Sequence, residues 1–284
     1  MDPDHEEYPF PSPADTHADW HWSSDIDREG QRQVYKLCRL GFGILSFSLL
    51  LAIVSCVVVF AAIFGGPWLV SWYYYGGAIS PRNVTGALVT WGSLVGVYLL
   101  WGRWRAPAWQ RRAGLLLLMS LVDVALWCVE HAPAISIPAP QEHEWLLHHL
   151  GEALGWAEFV LIASLACDFL QHLGVEHAPA AGKATCSLAA TGAVIWGILF
   201  VQSTQWGTWP LIGRLTPDKL LLLMGSHTIW TLTLIQVTAL TFSAAQQASR
   251  VLTEMNRDEQ ELDPLGTSFA ADMDRLARDD DRRR

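Results

Sequence analysis

Apolar residues in this chain gather into six long runs, covering roughly 41–64, 84–102, 113–131, 145–173, 185–205 and 217–243, with short polar or Pro- and Gly-containing stretches between them. The first, GFGILSFSLLLAIVSCVVVFAAIF, carries no charge. A helix rises about 1.5 Å per residue, so about 20 apolar residues cross a hydrocarbon layer about 30 Å thick. The pattern predicts an all-α, polytopic integral membrane protein: a bundle of about six transmembrane helices with disordered polar tails. The second and third runs barely reach the required length, and the fourth is weakened by its ionisable groups. Thr216-Pro217-Asp218 predicts the start of the sixth helix, with a capping hydroxyl, a proline in the first turn and a carboxylate at the positive dipole end.

Flanking charge orients these spans. With the N-terminus in the cytoplasm, the inner side receives Arg28, Arg32, Lys36 and Arg39, then Arg103, Arg105, Arg111 and Arg112, then Lys183, Arg250 and Arg257. The outer side receives only Arg82, Arg214 and Lys219. This asymmetry predicts an even number of spans and two cytoplasmic ends, in a plasma or inner membrane. Aromatic residues follow the same borders: Trp68, Trp72, Tyr73, Tyr74 and Tyr75 outside, Trp206 and Trp209 outside, and Trp101, Trp104 and Trp109 inside.

The division that follows is an acidic, disordered cytoplasmic tail over 1–38, a six-span domain over 39–243 and a polar cytoplasmic tail over 244–284. Of the 28 acidic residues, nine precede Gly30 and ten follow Ala244, so the formal charge of -9 belongs to the tails. Those tails are where a protein partner would bind; the lipid bilayer is the partner of the rest. The basic end is too short, and its surroundings too acidic, for nucleic-acid binding. No phosphate-binding Gly loop, HExxH or GxSxG motif is present. Five cysteines without CxxC spacing read as small apolar fillers.

The candidate chemistry lies between Arg112 and Lys183, a stretch without lysine or arginine that holds eight acidic residues and six of the ten histidines. A carboxylate in hydrocarbon must be protonated, paired, bound to a cation or directed at water. Asp123 lies about ten residues, or roughly 15 Å, from the inner end of the third run, and Glu158 is similarly deep in the fourth. A short loop makes these helices antiparallel neighbours, so the two carboxyl groups are proton-path candidates. In the outer half, His148 and Glu152 share a helix face beside a Gly151–Gly155 seam, and Glu130, His131 and His227 reach a comparable depth. Two histidines and a carboxylate suit a divalent metal with an open position. Asp168 and His172, one turn apart at the inner border, read as a solvated pair. The threonines of the sixth run, Thr231 and Thr238, are expected to bond their own backbone.

Three functions compete. One is proton or divalent-cation binding or translocation through the acid–histidine cluster. The second is a membrane redox protein in which His227 and His148 or His149 ligate haem. The third is a non-catalytic subunit whose polar groups specify helix packing. The topology has a direct check. Single cysteines placed near Ser136 and Gln205 should react with an impermeant thiol reagent from outside, and cysteines in both tails should be protected; outside labelling of either tail contradicts the arrangement.

Overall fold

A backbone in hydrocarbon finds no water to bond, so a spanning segment has to satisfy its own N–H and C=O groups, and a helix does this within one segment. Among its described residues, a computed structural model of the protein contains six such helices: α1 (Arg28–Gly65), α2 (Pro81–Leu100), α3 (Pro107–His131), α4 (Gln141–His172), α5 (Ala178–Trp206) and α6 (Pro217–Leu262). The structure describes residues 28–65, 81–101, 107–131, 141–206 and 217–262, with side chains omitted at 59, 62–65, 130–131, 141–149, 202–206, 217–220, 222–223 and 260–262. All six helices contain a stretch long and apolar enough to cross a membrane. The protein is an all-helical, multi-pass membrane bundle.

Each helix packs on the next in sequence, and α6 returns to pack along α1, which closes the ring; α4 also touches α6 across it. The contact between α1 and α6 is the most extensive, followed by that between α1 and α2. The α4 span is 50% buried, against 17–33% for the other five, so α4 is the central helix. The others turn apolar stripes outward, such as Phe47, Leu50, Val54 and Val57 on α1 and Leu88, Trp91 and Val95 on α2. Such stripes are stable against lipid and would be a liability in water.

Close approach is set by small residues. Gly41 and Gly96 bring the backbones of α1 and α2 together: a Cβ on Gly96 would lie 2.7 Å from Leu45 Cγ and 3.0 Å from the Gly41 carbonyl oxygen. At the C-terminus of α4, Gly174 has φ +75°, a conformation that glycine adopts without steric cost. Its N–H donates to the Gln171 oxygen at 2.9 Å, and the Val175 N–H donates to the Leu170 oxygen at 3.0 Å. These two bonds form a Schellman cap, which stops α4 sharply and turns the chain into α5. Beside the cap, Gly182 of α5 lies against Cys167, and the Cys167 thiol donates to the Ala178 oxygen at 3.2 Å. This packing starts α5 at Ala178, seven residues before the apolar run at 185.

Three features differ from the sequence reading. Helix α1 begins at Arg28, inside the segment 1–38 assigned to the tail. There Tyr35 and Cys38 are buried, and Arg32 donates to Asn256 at 2.6 Å and to Glu259 at 2.5 Å, both on α6. In the segment 244–284 assigned to the other tail, the sequence leads one to expect helix for a few turns past Ser243; α6 runs as far as Leu262, and what differs is that Ala244, Ala248 and Leu252 are buried at four-residue spacing. Trp109, placed as a border anchor, is fully buried instead, and its indole N–H donates to the Leu100 oxygen at 3.2 Å, satisfying a carbonyl at the end of α2. The outer Trp68, Trp72 and Trp209 lie outside the described residues.

Substitution of Gly96 by Leu inserts a side chain where a backbone oxygen and Leu45 already stand. Overpacking costs about 1–3 kcal/mol, so Gly96→Leu should lower the unfolding midpoint in detergent. Gly43→Leu, at a position with nothing within 4 Å of a new Cβ, should leave it unchanged.

Candidate functional site

On α3, Leu116, Ser120 and Val124 recur every four residues and are buried, because residues i and i+4 share a face. Asp123 and Trp127 border that stripe, and Arg112 begins it one turn earlier. Helix α4 lies against this face. Near mid-span, the Ser120 hydroxyl donates to Glu158 Oε1 at 3.2 Å. The Asp123 carboxyl group lies close enough to Glu158 for the two to interact electrostatically. The two deep carboxyl groups singled out in the sequence thus stand on neighbouring helices within electrostatic reach of each other, and Ser120 adds a hydroxyl between the helices.

A second polar group joins the same two helices nearer the cap at Gly174. Arg112 Nη1 lies 2.6 Å from Asp168 Oδ2 and donates to Ser164 Oγ at 2.5 Å. The approach to Oδ2 is an ionic contact without the alignment of a hydrogen bond. The side chains of Arg112 and Asp168 are 34% and 18% exposed, so the pair stands at the edge of the buried region. It lies eight residues from Ser120 along α3 and ten from Glu158 along α4, about 12 to 15 Å in either case. The interface of α3 and α4 thus has a charged pair at one end and a carboxyl–carboxyl–hydroxyl group deep inside.

The outer-half residues are directed to different neighbours. Trp196 of α5 donates to Glu152 Oε2 at 2.6 Å. The His227 ring of α6 meets Phe60 of α1 edge to face, with centroids 6.0 Å apart. Glu130, His131, His148 and His149 belong to helices but lie outside the described side chains. Among the described residues, no three His, Cys, Asp or Glu side chains form a group that could hold a metal ion. The Gly151–Gly155 seam is used in part: the Trp230 ring covers Gly155, while Gly151 faces open space. Thr231 and Thr238 donate to the His227 and Leu234 oxygens at 2.9 and 2.6 Å, as expected of threonine in such a helix.

Sequence reasoning missed Ser120, Ser164 and the pairing of Arg112. Ser120 shares the face of Asp123 one turn away, so helical spacing already contained that signal. Arg112 was assigned to the inner loop, and its reach to Asp168 depends on how α3 seats on α4. Trp196 as a donor to Glu152 had no signal, since the facing of α5 depends on its neighbours.

No protein-family model, curated protein or solved structure matches the chain. The site rests on its geometry.

Removal of Arg112 leaves the partly buried Asp168 without its cation. Breaking a fully buried pair costs about 3–5 kcal/mol; for this half-screened one, Arg112→Ala should cost about 1–3 kcal/mol in detergent unfolding. Asp168→Asn introduced into Arg112→Ala should recover most of that loss. An unchanged midpoint in Arg112→Ala would show that the pair contributes nothing.

Proposed function

We propose that this multi-pass membrane protein binds and moves protons, with the Asp123–Glu158 pair as the buried proton-carrying group and both termini in the cytoplasm. The observation that supports this reading is the Ser120–Glu158 bond deep in the α3–α4 interface, with Asp123 within electrostatic reach of the same carboxyl group. Intramembrane acids are costly, and their usual roles are in ion or proton paths. A carboxyl pair can hold one proton between two oxygens and hand it on by rotation of either side chain, and a hydroxyl can both donate and accept. Asp168 is the next carboxyl group along α4 toward the basic border, about 12 to 15 Å from the deep pair; water has to carry the proton over that distance, since a guanidinium such as Arg112 does not give up its own. The asymmetry of Lys and Arg between the two sides supports the cytoplasmic placement of the ends.

A divalent cation has less support, since the described outer residues Glu152 and His227 have their contacts on different helices. The structural-subunit reading gains from the same Ser120–Glu158 bond, which could serve only to seat α4 on α3.

Vesicles containing the purified full-length protein and a trapped pH dye separate these readings. Under an imposed pH gradient, the wild type should dissipate it faster than protein-free vesicles. Glu158→Gln and Asp123→Asn should each slow this by about tenfold or more, and the double variant should be no slower than Glu158→Gln, because the two act as one unit. Both variants keep hydrogen-bonding capacity, so both should insert normally. A wild-type rate equal to that of empty vesicles rejects the proposal and leaves the structural role.

A further inference from the structure

On the outer surface of the α1–α2 pair, away from the carboxyl groups, an open groove of about 490 Å³ runs between the helices. Its walls are apolar, with Phe47 of α1 and Trp91 and Val95 of α2 among them; its floor is low at Gly43, while at Gly92 the Ser48 side chain fills the place of a Cβ. Among the described residues nothing lies within 4 Å of where a Gly43 Cβ would stand, and no described helix fills this hollow. One end carries a guanidinium: Arg39 lines the groove and is exposed. Among the described residues Arg39 makes no hydrogen bond or ion pair. Lys36, one turn earlier on the same face of α1, is also exposed. The crossing at Gly41 and Gly96 sets Tyr98 of α2, exposed as well, at the level of Arg39 beyond the end of the groove lining.

We infer that this groove is a binding site for an anionic phospholipid, with the phosphate at Arg39 and one acyl chain laid against Gly43 and Gly92 between Phe47 and Trp91. Three observations favour this occupant. The charge sits at one end only, where the uncharged run of α1 begins, which is the depth of a headgroup. From Arg39 to Phe47 the groove extends eight residues, about 12 Å, comparable with one leaflet of a hydrocarbon layer about 30 Å thick. An acyl chain requires no hydrogen-bonding groups from the groove wall, and the wall is almost wholly apolar. A basic side chain at the membrane surface attracts an anionic headgroup by charge, while the hollow adds contact that a flat helix surface lacks.

Native mass spectrometry of the full-length protein, titrated with phosphatidylglycerol or with phosphatidylcholine of the same chains, tests this site. The wild type should retain phosphatidylglycerol in preference to phosphatidylcholine. Arg39→Ala should lower phosphatidylglycerol retention roughly fivefold and leave phosphatidylcholine unchanged. Gly43→Leu places its Cβ where nothing lies within 4 Å and its branched end in the hollow, and should lower retention of both lipids. Equal phosphatidylglycerol retention by Arg39→Ala and wild type overturns the proposal. So does loss in Arg39→Ala with full retention in Gly43→Leu, which would mean attraction to surface charge without a seat for the chain. The same spectra report oligomeric state, and a lipid-free dimer abolished by Gly43→Leu would assign the groove to a second copy and overturn the lipid site.

Discussion

Trp156 of α4 and Trp230 of α6 meet edge to face with ring centroids 4.7 Å apart, and Phe159 stands against both. Each indole occupies the space that a glycine leaves on the adjoining helix: Trp230 over Gly155, and Trp156 over Gly192 of α5. Apolar helices gain nothing by leaving lipid for one another on hydrophobic grounds alone, so association has to come from dense packing and polar bonds. A ring set into a glycine gap supplies dense packing at one angle and one depth only. Three helices are indexed to each other by this cluster, and the placement of α4 at the centre of the bundle follows from it.

The polar contacts depend on that centre. Helix α4 carries Glu152, Glu158, Ser164 and Asp168, and each finds its partner on a flanking helix: Trp196 on α5, or Ser120 and Arg112 on α3. A carboxylate facing lipid would cost about 2.5 to 3.5 kcal/mol even on the milder scales, so burial of α4 makes its acidic composition tolerable. At the basic border a second aromatic group repeats the packing logic. Phe42 touches Phe169 and Trp109, with centroids 5.3 and 6.4 Å apart, and Tyr35 touches Phe169 at 6.3 Å. It ties α1 to α3 and α4 in the interior of the ring.

The spans were legible because membrane thickness imposes a length on apolar runs, and the start of α6 was legible because Pro217 suits a first helical turn. The similar depth of Asp123 and Glu158 followed from antiparallel neighbours, while their facing did not. Helix facing was the limit. Trp109 has the composition of a border residue, and only the neighbouring end of α2 turns its N–H inward to Leu100. The helical residues 28–40 look polar enough to be a tail, and the few buried positions in them and in 244–262, such as Tyr35 and Leu252, become a stripe only once α1 and α6 are known to be partners. Closure of α6 on α1 is a contact between residues about 200 positions apart, and nothing local announces it. The outer acid–histidine group required helix order as well as depth, and its two described members, Glu152 and His227, took different neighbours.

The projecting part of α6 has an electrostatic consequence. Counted from Ser243, where the apolar run ends, Leu262 lies 19 residues along the helix, roughly 28 Å from the bilayer face. Counter-ions at physiological salt damp a charge within about 8 Å. Glu254, Asp258 and Glu259 stand about 16 to 24 Å out by the same measure, beyond the reach of anionic headgroups. The Arg32–Glu259 clasp to α1 steadies them there. These three acids of α6 are thus decoupled from the lipid surface, while Lys36 and Arg39, at the root of the same two-helix mast, remain within its field.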